Sequence, residues 1–180
     1  KGFETIVVDS SSKDRTVEIA KSFGCRTINA PKGVSESRNA GGRAAKGSLL
    51  VFVNADVAFS DGLFVKSVVE KDIMLGIVKL KPDKNTFSNK VIFSAYNFLN
   101  GMLTRWIPSL AIFPGEVIIV KKRIFEKTGG FNKRMHLSED RDFVLRASKY
   151  AKPVMVDIPV FLSTRRIRKW GLVKFFFYHL

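Results

Sequence analysis

Apolar runs that read as strands alternate along this chain with stretches of helical periodicity. That alternation specifies an α/β domain: a Rossmann-like, mostly parallel sheet with helices on both faces. Two further observations agree. Leu49-Leu-Val-Phe-Val53 is an unbroken run of large apolar side chains, the pattern of a strand buried on both sides. Polar residues, Asp9 after one run and Asn54-Ala-Asp56 after another, stand where open α/β sheets hold their ligands.

Taken in order, Thr5-Ile-Val-Val8 is a short strand ending at Asp9 and a serine turn, Ser10 to Ser12. Asp14 is suited to cap the next helix, and Gly24 to stop it. Arg26-Thr-Ile28 reads as a second strand. Residues 33–47 read as a helix capped by Ser35 and ended by Gly47. After the Leu49–Val53 strand, Ser60 is expected to cap a helix carrying Leu63, Phe64, Val68 and Val69. Ile73 to Leu80 follows as a strand, and Pro82-Asp-Lys-Asn85 as a turn.

Phe87, Val91, Ile92, Ala95, Phe98, Leu99, Met102, Leu103 and Trp106 keep a helical spacing over several turns. Val117 to Val120 is a strand, and Ile124 to Lys127 a short helix stopped by Gly129-Gly130. Ser138 is placed to cap a last helix through Tyr150. Val154 to Leu162 is a strand interrupted at Pro159. The first strand comes so early that the element expected before it is missing from this sequence.

Composition bounds the function. In 180 residues, Lys plus Arg outnumber Asp plus Glu by 31 to 16, a net charge of +15 that calls for an acidic partner. Nucleic acid is disfavoured, because the basic residues are spread along the chain and no zinc-finger spacing or RNA-recognition aromatic signature is present. The single cysteine, Cys25, excludes an internal disulfide and a thiolate metal cluster. No secretory leader opens the chain, and no apolar window approaches the ~18 residues that a membrane-spanning helix needs. A cytoplasmic domain is expected, either free or peripheral on the cytoplasmic face of a membrane.

Four constellations can carry chemistry, each with a structural alternative. Asp9 can accept hydrogen bonds from a nucleobase or ribose, or it can simply shape the turn with its serines. Arg38-Asn-Ala-Gly-Gly-Arg43 places two glycines inside a helix, at about 1 kcal/mol each against alanine. They imply close approach of a ligand or tight helix packing, with Arg38 the residue to face a ligand. Asn54 and Asp56 are hard oxygen donors suited to Mg²⁺ or Mn²⁺ on a diphosphate, or to an Asx turn. Gly129-Gly-Phe-Asn132 followed by Ser138-Glu-Asp-Arg-Asp142 brings two acids to a helix start, as a general base or as complements of the helix dipole.

In this order, Val7-Val-Asp9, Arg38-Asn39, Asn54-Ala-Asp56, Gly129-Gly-Phe131 and Glu139-Asp140 resemble a family 2 inverting glycosyltransferase of the GT-A fold, over nearly the whole chain. The resemblance implies a nucleotide-sugar donor, a UDP- or GDP-sugar, bound across the carboxyl edge of the sheet. Asp9 and Ser11 would meet the base or ribose, and Arg38 the nucleotide. Asp56 would hold a divalent cation, Mn²⁺ or Mg²⁺. Asn54 stands where the family usually has the first acid of its Asp-X-Asp motif, with Ala55 between. Asp140 would be the base that deprotonates the acceptor hydroxyl, Glu139 would support it or meet the acceptor, and Arg165 and Arg166 would meet the diphosphate.

The family's first strand is expected to be absent here. Residues 1–162 would then be the catalytic domain, acting on a lipid-linked or polysaccharide acceptor. A non-catalytic nucleotide-sugar or polyanion-binding module of the same fold stays open, because Asn54 replaces an acid. Residues 163–180 form a basic-aromatic segment, Arg165-Arg-Ile-Arg-Lys-Trp-Gly-Leu-Val-Lys-Phe-Phe-Phe-Tyr-His-Leu180. Contact with an anionic membrane surface, shared with the Phe87–Trp106 helix, accounts for it and for the net charge. Folding back into the core or an oligomer interface is the alternative.

Overall fold

The computed structural model describes residues 3–55, 57–59, 68–83, 86–107 and 116–162. Among the described residues, seven strands run in the order β1 (Ile6–Asp9), β2 (Arg26–Asn29), β3 (Leu49–Val53), β4 (Val57–Phe59), β5 (Leu75–Pro82), β6 (Val117–Lys121) and β7 (Val154–Leu162). Five helices accompany them: α1 (Thr16–Ser22), α2 (Val34–Ala44), α3 (Phe87–Trp106), α4 (Lys122–Thr128) and α5 (Glu139–Ala147). Residues 68–70 are also helical; the expected cap Ser60 and the start of that helix lie outside the described residues.

The strands form two sheets. β1 and β2 pair in parallel, and the other five lie in the order β3-β6-β5-β7-β4. The expected mostly parallel sheet is corrected here. β5 and β7 are parallel, but β3 with β6, β5 with β6, and β4 with β7 are antiparallel. An apolar run encodes burial on two faces, not direction, so β6 reads the same in either sense. Its Val117, Ile118, Ile119 and Val120 are all fully buried. β1 and β3 keep one edge each without a strand partner among the described residues, and α2 packs on both strands.

Side chains alternate across the five-stranded sheet, as the strand period of 2 requires. Leu75, Ile77, Ile118 and Val120 face one core with Phe125, Phe131, Phe143 and Val144 from α4, α5 and the loop between them. Val78, Leu80, Val117, Ile119, Val156 and Val160 face the other, under Phe93 of α3. Pro159 marks the irregularity expected in β7. Pairing with β5 jumps from Val78↔Val156 to Lys79↔Pro159, since proline has no N–H to give a ladder.

Local signals behaved unevenly. Gly24 (φ 73°) and Gly129 (φ 74°) end α1 and α4 in the left-handed conformation. Asp14 acts just before α1, accepting the Thr16 N–H at 3.0 Å, and Arg15 takes the cap position with its side chain bonded to Glu18 and not to the helix backbone. Ser35 is not a cap. The chain enters α2 from Gly33, so Ser35 lies within the helix and its hydroxyl donates to the Asn132 carbonyl at 3.1 Å. The Ser138 hydroxyl caps nothing either, and α5 stops at Ala147.

The two glycines inside α2 are there for packing. A Cβ at Gly42 would fall 2.6 Å from the buried Phe125 ring, and one at Gly41 would fall 3.1 Å from a Val8 methyl. Gly42→Ala should therefore destabilise the domain. The helix gains about 1 kcal/mol in propensity, but overpacking against an immobile ring costs about 1–3 kcal/mol. Denaturant unfolding is expected to show a net loss of about 1 kcal/mol, and an alanine variant more stable than the parent would refute this packing.

Candidate active site

One helix face organises the site. Ser35, Arg38 and Asn39 of α2 lie three and four residues apart, hence on one side of the helix, and all three reach residues about 100 positions later. Asn39 is 1% exposed. Its amide donates to the Phe131 carbonyl at 2.8 Å and accepts the Phe131 N–H at 2.8 Å. Gly130 (φ 81°) allows this approach, since a Cβ there would fall onto the Asn39 oxygen. From the other side, Arg146 donates to the carbonyls of Thr128 (2.7 Å) and Gly130 (2.9 Å) while bonded to Asp142. The Gly-Gly-Phe turn is thus gripped by two side chains.

Arg38 joins the segments that matter. One guanidinium nitrogen donates to Glu139 Oε1 at 3.1 Å and another to Asn54 Oδ1 at 2.9 Å. The guanidinium also lies over the Phe131 ring, 5.1 Å from its centre. Phe131 in turn stacks on Phe143 at 4.2 Å. Arg38 and Glu139 are nearly enclosed, with side chains 10% and 13% exposed. Burial pulls the Arg38 guanidinium down in pKa, opposed by the charges of Glu139, Asp140 and Glu116.

Asp140, next to Glu139 at the start of α5, has its carboxyl pushed up. Burial is the main cause and the Glu139 charge adds to it, against the Arg141 N–H at 2.7 Å and the Arg38 charge. Two further residues, missed in the sequence, belong to this group. Glu116 precedes β6, and its carbonyl accepts the Asn54 N–H at 2.9 Å, which fixes it beside the end of β3. The Tyr96 phenol of α3 is held neutral by burial and by the charges of Glu116 and Asp140. Nothing in the spacing of either residue points to the site. Asn39 lay inside a motif already singled out, but its partner is 92 residues away.

Asp9 and Ser11 lie apart from this group, at the end of β1. The Asp9 carboxylate accepts the Ser12 N–H at 3.0 Å, and its bonds to Ser12 hold it below the usual carboxylate range. Ser11 (φ 65°) sits in the strained part of that turn. The neighbouring Ser10 hydroxyl shares a hydrogen bond with that of Ser37 at 3.1 Å, so the turn abuts the residue before Arg38. Ala55 is an exposed turn residue. Asp56, Arg165 and Arg166 lie outside the described residues.

As for a cation, no trio of acidic, histidine or cysteine ligands occurs among the described residues. The Asn54 side-chain oxygen faces the Arg38 guanidinium, an unsuitable neighbour for a metal ligand. Of the expected pair, the carboxylate of Asp56 is the donor whose chemistry fits a divalent ion.

An α/β frame with a buried arginine, paired acids and polar strand ends is the arrangement of a GT-A glycosyltransferase domain, and comparison with known proteins agrees. The model of glycosyl transferase family 2 matches residues 1–129, and the chain belongs to that family. An uncharacterised glycosyltransferase of Haemophilus influenzae is 29% identical over 158 residues, which cover 80% of this chain and 51% of that protein. Among solved structures, S. aureus TarS superposes with a TM-score of 0.68 at 16% identity, over 91% of this chain and 31% of TarS.

A mannosyltransferase of Pyrobaculum calidifontis in complex with GDP-Man and Mn²⁺ gives 0.66 at 19% identity, over 88% and 47%. Glucosyl-3-phosphoglycerate synthase of Mycobacterium tuberculosis, in complex with Mn²⁺, UDP and glucosyl-3-phosphoglycerate, gives 0.64 at 18% identity, over 93% and 63%. The chain spans about half the length of the curated relative it matches.

The amide clamp has a measurable worth. Asn39→Ala leaves a buried N–H and a buried carbonyl of Phe131 without partners, and each costs about 1–3 kcal/mol. Unfolding should show a loss of about 2–6 kcal/mol, and a loss under about 1 kcal/mol would mean that the turn holds itself.

Proposed function

We propose that the domain transfers a sugar from a nucleotide-diphosphate sugar to an acceptor hydroxyl in a single displacement, with inversion at the anomeric carbon. The observation that carries this reading is the Arg38–Glu139 pair, which anchors the start of α5 and with it the raised carboxyl of Asp140. Family membership and the GT-A fold support it.

Asp140 takes the acceptor's proton as the hydroxyl oxygen attacks, and the nucleoside diphosphate departs on the opposite side of the sugar. A base needs a pKa closer to neutrality than a solvated aspartate has, and burial beside Glu139 moves Asp140 that way. Glu139 stays fixed by Arg38 and orients its neighbour. Asp9 and Ser11 meet the base or ribose, and Arg38 addresses the nucleotide. Arg165 and Arg166 meet the diphosphate. A divalent cation held by Asp56 would neutralise charge on the leaving group. Asn54 takes no part in holding it, because its oxygen serves Arg38.

The donor is a UDP- or GDP-sugar, by analogy with the mannosyltransferase that holds GDP-Man and the synthase that holds UDP. We assign the acceptor to the lipid-linked or polysaccharide class. A second reading, donor binding without turnover, draws on the replacement of an acid by Asn54.

A thermal-shift panel of UDP- and GDP-sugars with and without Mn²⁺, followed by assay of nucleoside diphosphate release, tests the proposal. One donor should raise the melting point by mass action. Asp140→Asn should keep that shift while release falls at least about 100-fold, the usual scale of general-base loss. Retained shifts without release in the parent would favour the binding module.

The pH dependence has a defined sign. The folded pKa of Asp140 is raised, so ionising it opposes folding, and this cost is present above the folded pKa and gone below the unfolded one. Asp140→Asn should therefore be more stable than the parent at pH 7, with the gap closing as pH falls into the ordinary carboxylate range. The parent's kcat/KM should lose activity on the acid side above that range. Identical melting points for parent and variant at neutral and acid pH would contradict the assignment.

A further inference from the structure

The long helix α3 packs one apolar face on the core and leaves a second one exposed. Against the sheet it places Phe93, with Ile92, Tyr96 and Leu103 packed on the core beside it, and the polar Asn97, Asn100 and Thr104. Asn97 donates to the Leu80 carbonyl at 2.8 Å and accepts the Leu80 N–H at 3.1 Å, so its side of the helix is fixed by two bonds to β5. The opposite face is apolar and open. Phe87, Val91, Ala95, Phe98, Met102 and Trp106 recur at intervals of three and four, one continuous stripe. Phe87, Phe98 and Trp106 are 84%, 75% and 72% exposed. At 1.5 Å per residue the stripe is about 30 Å long.

Charge selects what covers the stripe. The helix has no aspartate or glutamate; its charged residues are Lys90 and Arg105. Lys90 borders a shallow depression lined with Val91, Ser94, Ala95 and Phe98. Arg105 lies over the Trp106 ring, 5.5 Å from its centre. A second copy of the helix would bring cation to cation, and so would the basic segment 163–180. An acidic partner that also accepts Phe, Met and Trp side chains is required, in a protein of net charge +15.

The headgroup region of an anionic bilayer supplies both, with tryptophan and arginine at the interface and phenylalanine below it. Nucleic acid offers the charge but no apolar layer for a stripe of this length. No helix among the described residues is long and apolar enough to cross a membrane, which leaves α3 lying in the surface plane. β7 ends at Leu162 paired with Pro82, five residues before α3 begins.

We propose that the outer face of α3 docks the domain on an anionic lipid surface. The stripe enters the interface while Lys90 and Arg105 meet lipid phosphates or carboxylates.

Flotation of the 180-residue chain with phosphatidylcholine vesicles, with and without phosphatidylglycerol, tests this. Binding is expected only with the anionic lipid. With Trp170→Phe leaving Trp106 as the sole tryptophan, emission should move to the blue on binding. Phe98→Ser with Trp106→Ser should abolish binding at unchanged circular dichroism, since both side chains are exposed. Lys90→Ser and Arg105→Ser should each weaken it about fivefold, the worth of one cation near an anionic surface.

Several results would overturn the proposal. Equal binding of the Phe98→Ser/Trp106→Ser variant, or an unmoved Trp106 emission, would show that general basicity or another segment holds the vesicle. Equal binding to neutral vesicles would remove the charge argument. A dimer in solution abolished by the same variant would assign the stripe to a second copy. Tighter binding of an oligonucleotide, lost in that variant, would assign it to nucleic acid.

Discussion

The buried amide of Asn39 is the interaction on which the rest of this site depends. Two hydrogen bonds to the backbone of Phe131 tie α2 to a turn 92 residues later. Their geometry leaves no room for a side chain at Gly130. With the turn fixed, Phe131 stands in the aromatic cluster with Phe52, Phe125 and Phe143. Its ring then forms the floor under Arg38, the next residue on the same helix. A polar core contact of this kind is strong because both partners have nowhere else to bond. It turns an exposed-looking loop sequence into a rigid support for the start of α5.

On that support one cation serves several acids. Arg38 bonds Glu139 and Asn54 directly and feels the charges of Asp140 and Glu116. Burial works against the charged forms of Arg38 and Asp140. Asp140 is pushed up because desolvation and Glu139 outweigh the attraction of Arg38. Were residue 54 an acid, it would add a negative charge to this group and compete with Glu139 for the guanidinium. The neutral amide accepts the same hydrogen bond without that competition. Asn54 is therefore intelligible as part of the arginine's network, and reading it only as a weakened metal ligand overlooks this.

Much of the frame was legible in the sequence because periodicity and turn chemistry are local. Strands β1, β2, β3, β6 and β7 and the 20-residue α3 follow from apolar patterning, and Gly24 and Gly129 end helices where glycine should. What failed needed information from afar. β4 has three residues, too few for a period. The sense of β6 depends on how the chain returns after α3, which no residue of β6 records. Ser35 looked like a cap and instead donates to Asn132. Gly41 and Gly42 allowed a ligand or packing, and only the positions of Val8 and Phe125 decide for packing. Arg38, Asn54, Glu139 and Asp140 were singled out one by one. Their assembly, and the entry of Glu116 and Tyr96, required the fold.

The helix α3 links these themes. Its apolar spacing was apparent in the sequence, and the ordinary expectation for such a stripe is burial in a core. Asn97 decides otherwise, because its two bonds to Leu80 fix the polar face of the helix against β5. On that inner face Tyr96 comes under the influence of Glu116 and Asp140, so the helix borders the acids of the site. On the outer face the stripe is open. A surface docked along α3 would lie about one helix diameter, ~10 Å, from the inner face that carries Tyr96. The apolar residues that contribute least to the core are thus those that, on the proposed docking, would face the lipid, with Tyr96 on the other side of the helix.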